Sequence, residues 1–111
     1  MVRVPQQGDI VWANLNPKKG HEQQGFRPLI VLSNDLVSQH TNVVIVAPIS
    51  TTKRRLPFYV ELPKDYETQG TVLLDQLVTI DYTVRHAEYK ETVSSEFLEQ
   101  LLDISRRIFS K

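Results

Sequence analysis

Two short runs decide most of what this chain can become. Residues 27–33 (RPLIVLS) and 42–48 (NVVIVAP) are almost wholly apolar, rich in Val and Ile, and far too short for an ordinary helix. Runs of this kind suit strands buried on both faces, as in a small barrel. Further strand-like stretches surround them. Residues 9–15 (DIVWANL) follow Gly8 and stop at Asn16-Pro17, a natural turn start. Residues 57–62 (PFYVEL) alternate and end at Pro63. Residues 70–74 (GTVLL) and 77–80 (LVTI) flank a bend at Asp75-Gln76. Short strands separated by turns predict an all-β barrel or sandwich core.

The C-terminus changes period. Phe97, Leu98, Leu101, Leu102, Ile104, Ile108 and Phe109 recur at helical spacing and make one apolar face. Ser94 is the natural N-cap, Val93 is placed to staple onto Leu98, and Glu96 near the start with Arg106, Arg107 and Lys111 near the end suit the helix dipole. This helix is expected to pack across the barrel, with a short helical turn at residues 34–39. The predicted class is mainly β (α+β), one domain spanning residues 1–111.

Composition narrows the function classes. At 111 residues the chain has room for one core. It has no cysteine, so a disulfide framework, a Cys nucleophile and a zinc–thiolate site are excluded, and a reducing cytoplasm suits it. No apolar run approaches the ~20 residues that span a bilayer, so no membrane association is expected. Lys+Arg and Asp+Glu number 13 each, and a pI near 6.8 is low for a general nucleic-acid binder. That neutrality is an average. Residues 1–55 hold seven basic residues against three acidic, and residues 56–111 hold six against ten.

The chemistry concentrates in three places. The polar segment 16–26 joins two strands, long for a hairpin, and sets His21, Glu22, Gln23 and Gln24 in a row, with Arg27 five residues after the carboxylate. A base and a fixed cation are what phosphodiester transfer requires. Arginine's planar fork can hold a phosphate bidentately. The structural alternative is that His21 and Glu22 are solvated and Arg27 pairs with Glu22 or Asp75 at a barrel rim. Second, Ser50-Thr51-Thr52-Lys53-Arg54-Arg55 sets hydroxyls before three cations: a phosphate-tracking loop or a solvated hairpin tip. Third, Asp75-Gln76 puts an acid and an amide at a strand end. His21, His40 and His86 lack metal-ligand spacing, and no phosphate-binding glycine motif occurs, so neither a metal nor a cofactor is expected. Phe26, Phe58, Tyr59, Tyr66, Tyr82 and Tyr89 include candidates for stacking on bases, though most fall at core spacing.

Gly8-Asp9-Ile10-Val11-Trp12, then Leu15-Asn16-Pro17, Gly20-His21-Glu22-Gln23-Gln24-Gly25 and Arg27-Pro28, then Val31-Leu32-Ser33, resembles the opening signature of the MazF/PemK/Kid toxins. These are the endoribonuclease halves of bacterial toxin–antitoxin pairs. The likeness continues through Val46-Ala47-Pro48-Ile49-Ser50-Thr51 and Leu74-Asp75-Gln76 with Thr79-Ile80-Asp81, covering nearly the whole chain. The resemblance implies a compact SH3-like barrel acting as a homodimer. It also implies metal-independent cleavage of single-stranded RNA, leaving a 2′,3′-cyclic phosphate and a 5′-hydroxyl, and a cognate antitoxin as partner.

Carried over by position, the resemblance makes Arg27 the stabiliser of the phosphate, His21 or Glu22 the base, and Ser50 or Thr51 the hydroxyl donor. RNA contacts are expected at Lys18, Lys19 and Gln23, at Lys53, Arg54 and Arg55, and at Asp75 and Gln76. Two departures matter. Leu73 stands where the Kid branch has an arginine, so Asp75 lacks that partner, and Ser50 replaces a threonine. The rival from another class is a CcdB-type toxin, which poisons gyrase by binding and cleaves nothing.

Overall fold

The computed structural model describes residues 3–15 and 25–111. Among these, seven strands and two helices follow in the order β1 (Asp9–Asn14), β2 (Phe26–Val31), α1 (Asp35–His40), β3 (Val43–Ser50), β4 (Tyr59–Glu61), β5 (Thr71–Leu73), β6 (Val78–Asp81), β7 (Glu88–Thr92) and α2 (Ser95–Phe109). All pairings are antiparallel, and the sheet runs β4-β5-β3-β2-β1-β7 with β6 also on β3. The sheet curves in the barrel-like manner expected but does not close.

The longest strand, β3, organises the rest. Its first half pairs with β6 from Val43 to Val46, and its end pairs with β5 at Ile49 and Ser50. The two apolar runs are buried on both faces, as their composition demands. One face holds Ile10, Ile30, Ala47 and Ile49 with Val72 and Leu74 against Phe97 and Leu101 of α2. The other holds Val11, Leu29, Val31, Val44 and Val46 with Ile80 and Tyr82. Alternation along each strand thus feeds two clusters, and side-chain area on both faces leaves water.

Helix α2 starts where its sequence says. The Ser94 hydroxyl accepts the N–H of Phe97 at 3.1 Å, a cap worth roughly 1 kcal/mol. The Ser94 N–H in turn donates to the Tyr66 hydroxyl at 2.7 Å, tying the β4–β5 connection to the helix start. α1 is the short turn expected near residues 34–39, capped by Asn34.

Strand β7 has no counterpart among the apolar runs. Its sequence, EYKET, is polar and largely exposed, because among the described residues it is an edge that pairs only with β1 and does so across a register shift at Ile10/Val11. Charge at such an edge discourages further strand addition, and it hides the strand from a hydrophobic pattern.

Candidate functional site

The end of β3 and the start of β2 lie side by side, because Leu29 pairs with Pro48. A cleft of about 240 Å³ opens there, lined by Trp12, Arg27, Pro28, Ile49, Ser50 and Thr51, with residues 67–69 as its far wall. Three of the expected catalytic residues, Arg27, Ser50 and Thr51, therefore meet in one place. The Ser50 Oγ accepts the N–H of Thr52 at 3.2 Å, which leaves its own proton to donate. At the base of the connection between β1 and β2, the Leu15 N–H donates to the Gly25 carbonyl at 2.9 Å. His21, Glu22, Gln23, Lys18 and Lys19 lie outside the described residues.

Lys53, Arg54 and Arg55 line an adjoining groove of about 480 Å³ with Tyr59, Glu61 and Lys64. Thr51 and Gln69 border both depressions, so the cationic groove runs directly into the cleft. Four cations against one acid give it a positive potential of the sign that attracts a polyanion.

Asp75 and Gln76 lie elsewhere. Both are exposed in the β5–β6 turn, and Asp75 lines a groove with Pro57 and Phe58 beside Ile104, Arg107 and Ile108 of α2. Asp75 is not the carboxylate partner of Arg27: it takes part in none of the ion pairs among the described residues. The turn that carries it lies beside α2, and Asp75 does not line the cleft that holds Arg27.

No sequence pattern announces the cleft's far wall. Glu67, Thr68 and Gln69 belong to the β4–β5 connection, and Glu91 of β7 holds them. Its carboxylate accepts the Glu67 N–H at 3.2 Å, the Thr68 N–H at 2.7 Å and the Thr68 hydroxyl at 2.7 Å. Burial pushes the Glu91 carboxyl up. The bonds from Thr68 and Glu67, helped by Lys90, outweigh burial and hold it below its ordinary value. Beside it, Lys90 pairs with Glu67 at 2.9 Å, and that hydrogen bond and charge raise the lysine's pKa. Thr68 and Glu91 are 23 residues apart, so no local spacing announces the contact.

A pH dependence follows. A carboxyl whose pKa is lowered by folding contributes stability above its unfolded value, about 4.3, and loses it as pH falls through the folded value. Glu91→Gln is therefore expected to lower the urea midpoint by a constant amount from pH 8 to about pH 5, with the gap closing below about pH 4. A gap that stays open at low pH would show that the carboxylate charge is not what holds residues 67 and 68.

A small antiparallel sheet under one C-terminal helix, with an arginine, two hydroxyls and a cationic groove at one rim, defines a compact β protein whose rim has the charge and donors that suit a phosphate-bearing chain. Residues 6–109 match the family described as the PemK-like, MazF-like toxins of type II toxin–antitoxin systems. The chain is 38% identical over 96 residues to the endoribonuclease toxin MazF of Escherichia coli K12, covering 86% of each. It is 36% identical over 83 residues to endoribonuclease EndoA of Bacillus subtilis, covering 70% of this chain and 72% of EndoA. The crystal structure of MazF from Deinococcus radiodurans superposes with a TM-score of 0.87 at 31% identity, over 96% of this chain and 97% of that one. A MazE–MazF structure from the same organism gives 0.85 at 31% identity over 96% of each. The chain belongs to the PemK/MazF family of type II toxins.

Proposed function

We propose that this toxin is a sequence-specific, metal-independent endoribonuclease that cuts single-stranded RNA and so arrests translation and growth. The observation that carries the proposal is the convergence of Arg27, Ser50 and Thr51 in one cleft that continues into a cationic groove. The relatives named as endoribonucleases support it, and they give a gyrase-poisoning role no footing.

The nucleophile is the substrate's own 2′-hydroxyl, so the protein needs no activated Ser or Cys. A base, His21 or Glu22, takes the 2′ proton as the oxygen attacks the adjacent phosphorus. The P–O5′ bond breaks, the leaving 5′ oxygen takes a proton from water, and a 2′,3′-cyclic phosphate and a 5′-hydroxyl remain. Arg27 neutralises charge on the non-bridging oxygens, and Ser50 or Thr51 donates a hydrogen bond to one of them. Lys53, Arg54 and Arg55 hold the chain on one side of the cut, Lys18, Lys19 and Gln23 add contacts from the long loop, and Asp75 with Gln76 forms a more distant contact. The active form is a homodimer in the cytoplasm, restrained by a cognate antitoxin, a partnership supported by the solved MazE–MazF structures; a flexible antitoxin segment that folds on binding would cover the cationic surface. Among the described residues no helix is long and apolar enough to cross a membrane.

Incubating the purified protein with a long single-stranded RNA in EDTA and mapping the new 5′ ends tests this. Discrete cuts within a recurring short motif are expected, with binding that weakens as salt rises. Intact RNA together with inhibition of gyrase would overturn the proposal in favour of the CcdB-type rival.

A further inference from the structure

The cleft has a second neighbour. Trp12, Phe26, Glu88, Tyr89 and Lys90 line a shallow depression of about 290 Å³ that shares no lining residue with the cationic groove. Trp12 borders both this depression and the cleft. Lys90 gives a second link, since its ammonium pairs with Glu67 of the cleft wall. Three depressions thus lie in a row: cationic groove, cleft, aromatic shelf.

Their chemistry differs in a telling way. The groove carries four cations and suits phosphates. The shelf balances Lys90 with Glu88 and offers instead two rings, those of Trp12 and Phe26, with centroids 5.9 Å apart and planes inclined by 33°. Phe26 is 46% exposed, a large loss of hydrophobic contact for a ring at the start of a buried strand. Tyr89 is committed elsewhere. Its ring carries the Arg3 guanidinium at 4.1 Å, and its hydroxyl bonds that of Thr92. An aromatic surface without net charge, continuous with a phosphate site, fits the flat face of an unpaired base.

We propose that the Trp12–Phe26 shelf is a stacking subsite for one unpaired nucleobase of the RNA strand whose scissile phosphate lies in the Arg27 cleft. The strand then crosses the site in one direction, its backbone held by the cationic groove on one side of the cut and a base held by the shelf on the other. This rests on the endoribonuclease reading. It adds a base contact that is indifferent to hydrogen-bond pattern, because every base has a π-face.

The test uses the full chain and an oligonucleotide spanning a mapped cut. Phe26→Ala is expected to raise KM by roughly five- to a hundredfold, the range for one stacked base, with kcat unchanged and Phe26→Tyr restoring the native value. Replacing the base at one flanking position by an abasic residue should cost the native protein a similar factor and cost Phe26→Ala nothing further. Trp12 is the only tryptophan, so its fluorescence reports the shelf directly. An oligonucleotide with 2′-deoxyribose at the cut should quench it, and the abasic version should not. Unchanged KM in Phe26→Ala overturns the proposal, as do additive losses in the abasic substrates. A changed oligomeric state of Phe26→Ala by light scattering would also overturn it, by assigning the shelf to a subunit contact. Native protein that cuts no RNA at all would sink the nuclease reading itself. Native cutting with unaltered Phe26→Ala kinetics sinks the shelf alone.

Discussion

Arg27→Ala is expected to reduce RNA cleavage by at least about a hundred- to a thousandfold, the usual loss when one pre-positioned donor to a developing anion is removed. The fold should survive. Arg27 is exposed at the start of β2, its backbone is held in register opposite Ala13, and the core begins two residues later at Leu29. A stability change within about 1 kcal/mol fits such a position. Arg27→Lys separates charge from geometry. An ammonium keeps the attraction but cannot offer the planar pair of donors, so partial recovery is expected. Initial rates on a 5′-labelled oligonucleotide and a urea melt of each variant check this. Full activity in Arg27→Ala would be decisive against the assignment, since no other described cation lines that cleft.

Gly70→Ala should have the largest effect on stability of any small substitution near the site. Gly70 has φ +133°, a conformation that side chains rarely adopt, and an added Cβ would lie 2.6 Å from the Ser50 carbonyl oxygen and 3.1 Å from Ile49. Neither neighbour can yield easily. Ser50 is paired with Thr71 at the end of β3, and Ile49 is in the core. Backbone strain and overpacking each cost about 1–3 kcal/mol, so a loss of about 2–6 kcal/mol is expected. The urea midpoint should fall by about 1 M or more. Because the clash falls on Ser50, surviving folded protein should also cut RNA more slowly. Gly25→Ala is the internal control. Gly25 also has positive φ, +81°, but among the described residues its Cβ would meet nothing within 4 Å, so the conformational cost of about 1 kcal/mol is what is expected. Equal stability of the two variants would show that the contact with Ser50 is not tight.

The two glycines illustrate what a sequence can and cannot announce. Both stand in turn-rich surroundings and look alike in the chain. Only the approach of the β4–β5 connection to the end of β3 makes one of them irreplaceable. The same holds for Glu91. In sequence it is one more acid in a polar stretch, and in the fold its three hydrogen bonds fix the wall of the cleft.

Sequence by itself determined the elements whose forces are local or repetitive. The doubly apolar runs dictated buried central strands, the 3.6-residue period with Ser94 dictated α2, and the ordered blocks around Arg27 and Ser50 pointed to RNA chemistry. Tertiary structure alone decided the rest. It brought Arg27 beside Ser50 and Thr51, separated Asp75 from them, recruited the polar edge strand β7 to brace residues 67–69, and set the Trp12–Phe26 pair next to the cleft. The physical reason is common to all four: each depends on strand register between segments distant in the chain. Register is set by the packing of both faces of the sheet at once, and no single segment carries that information.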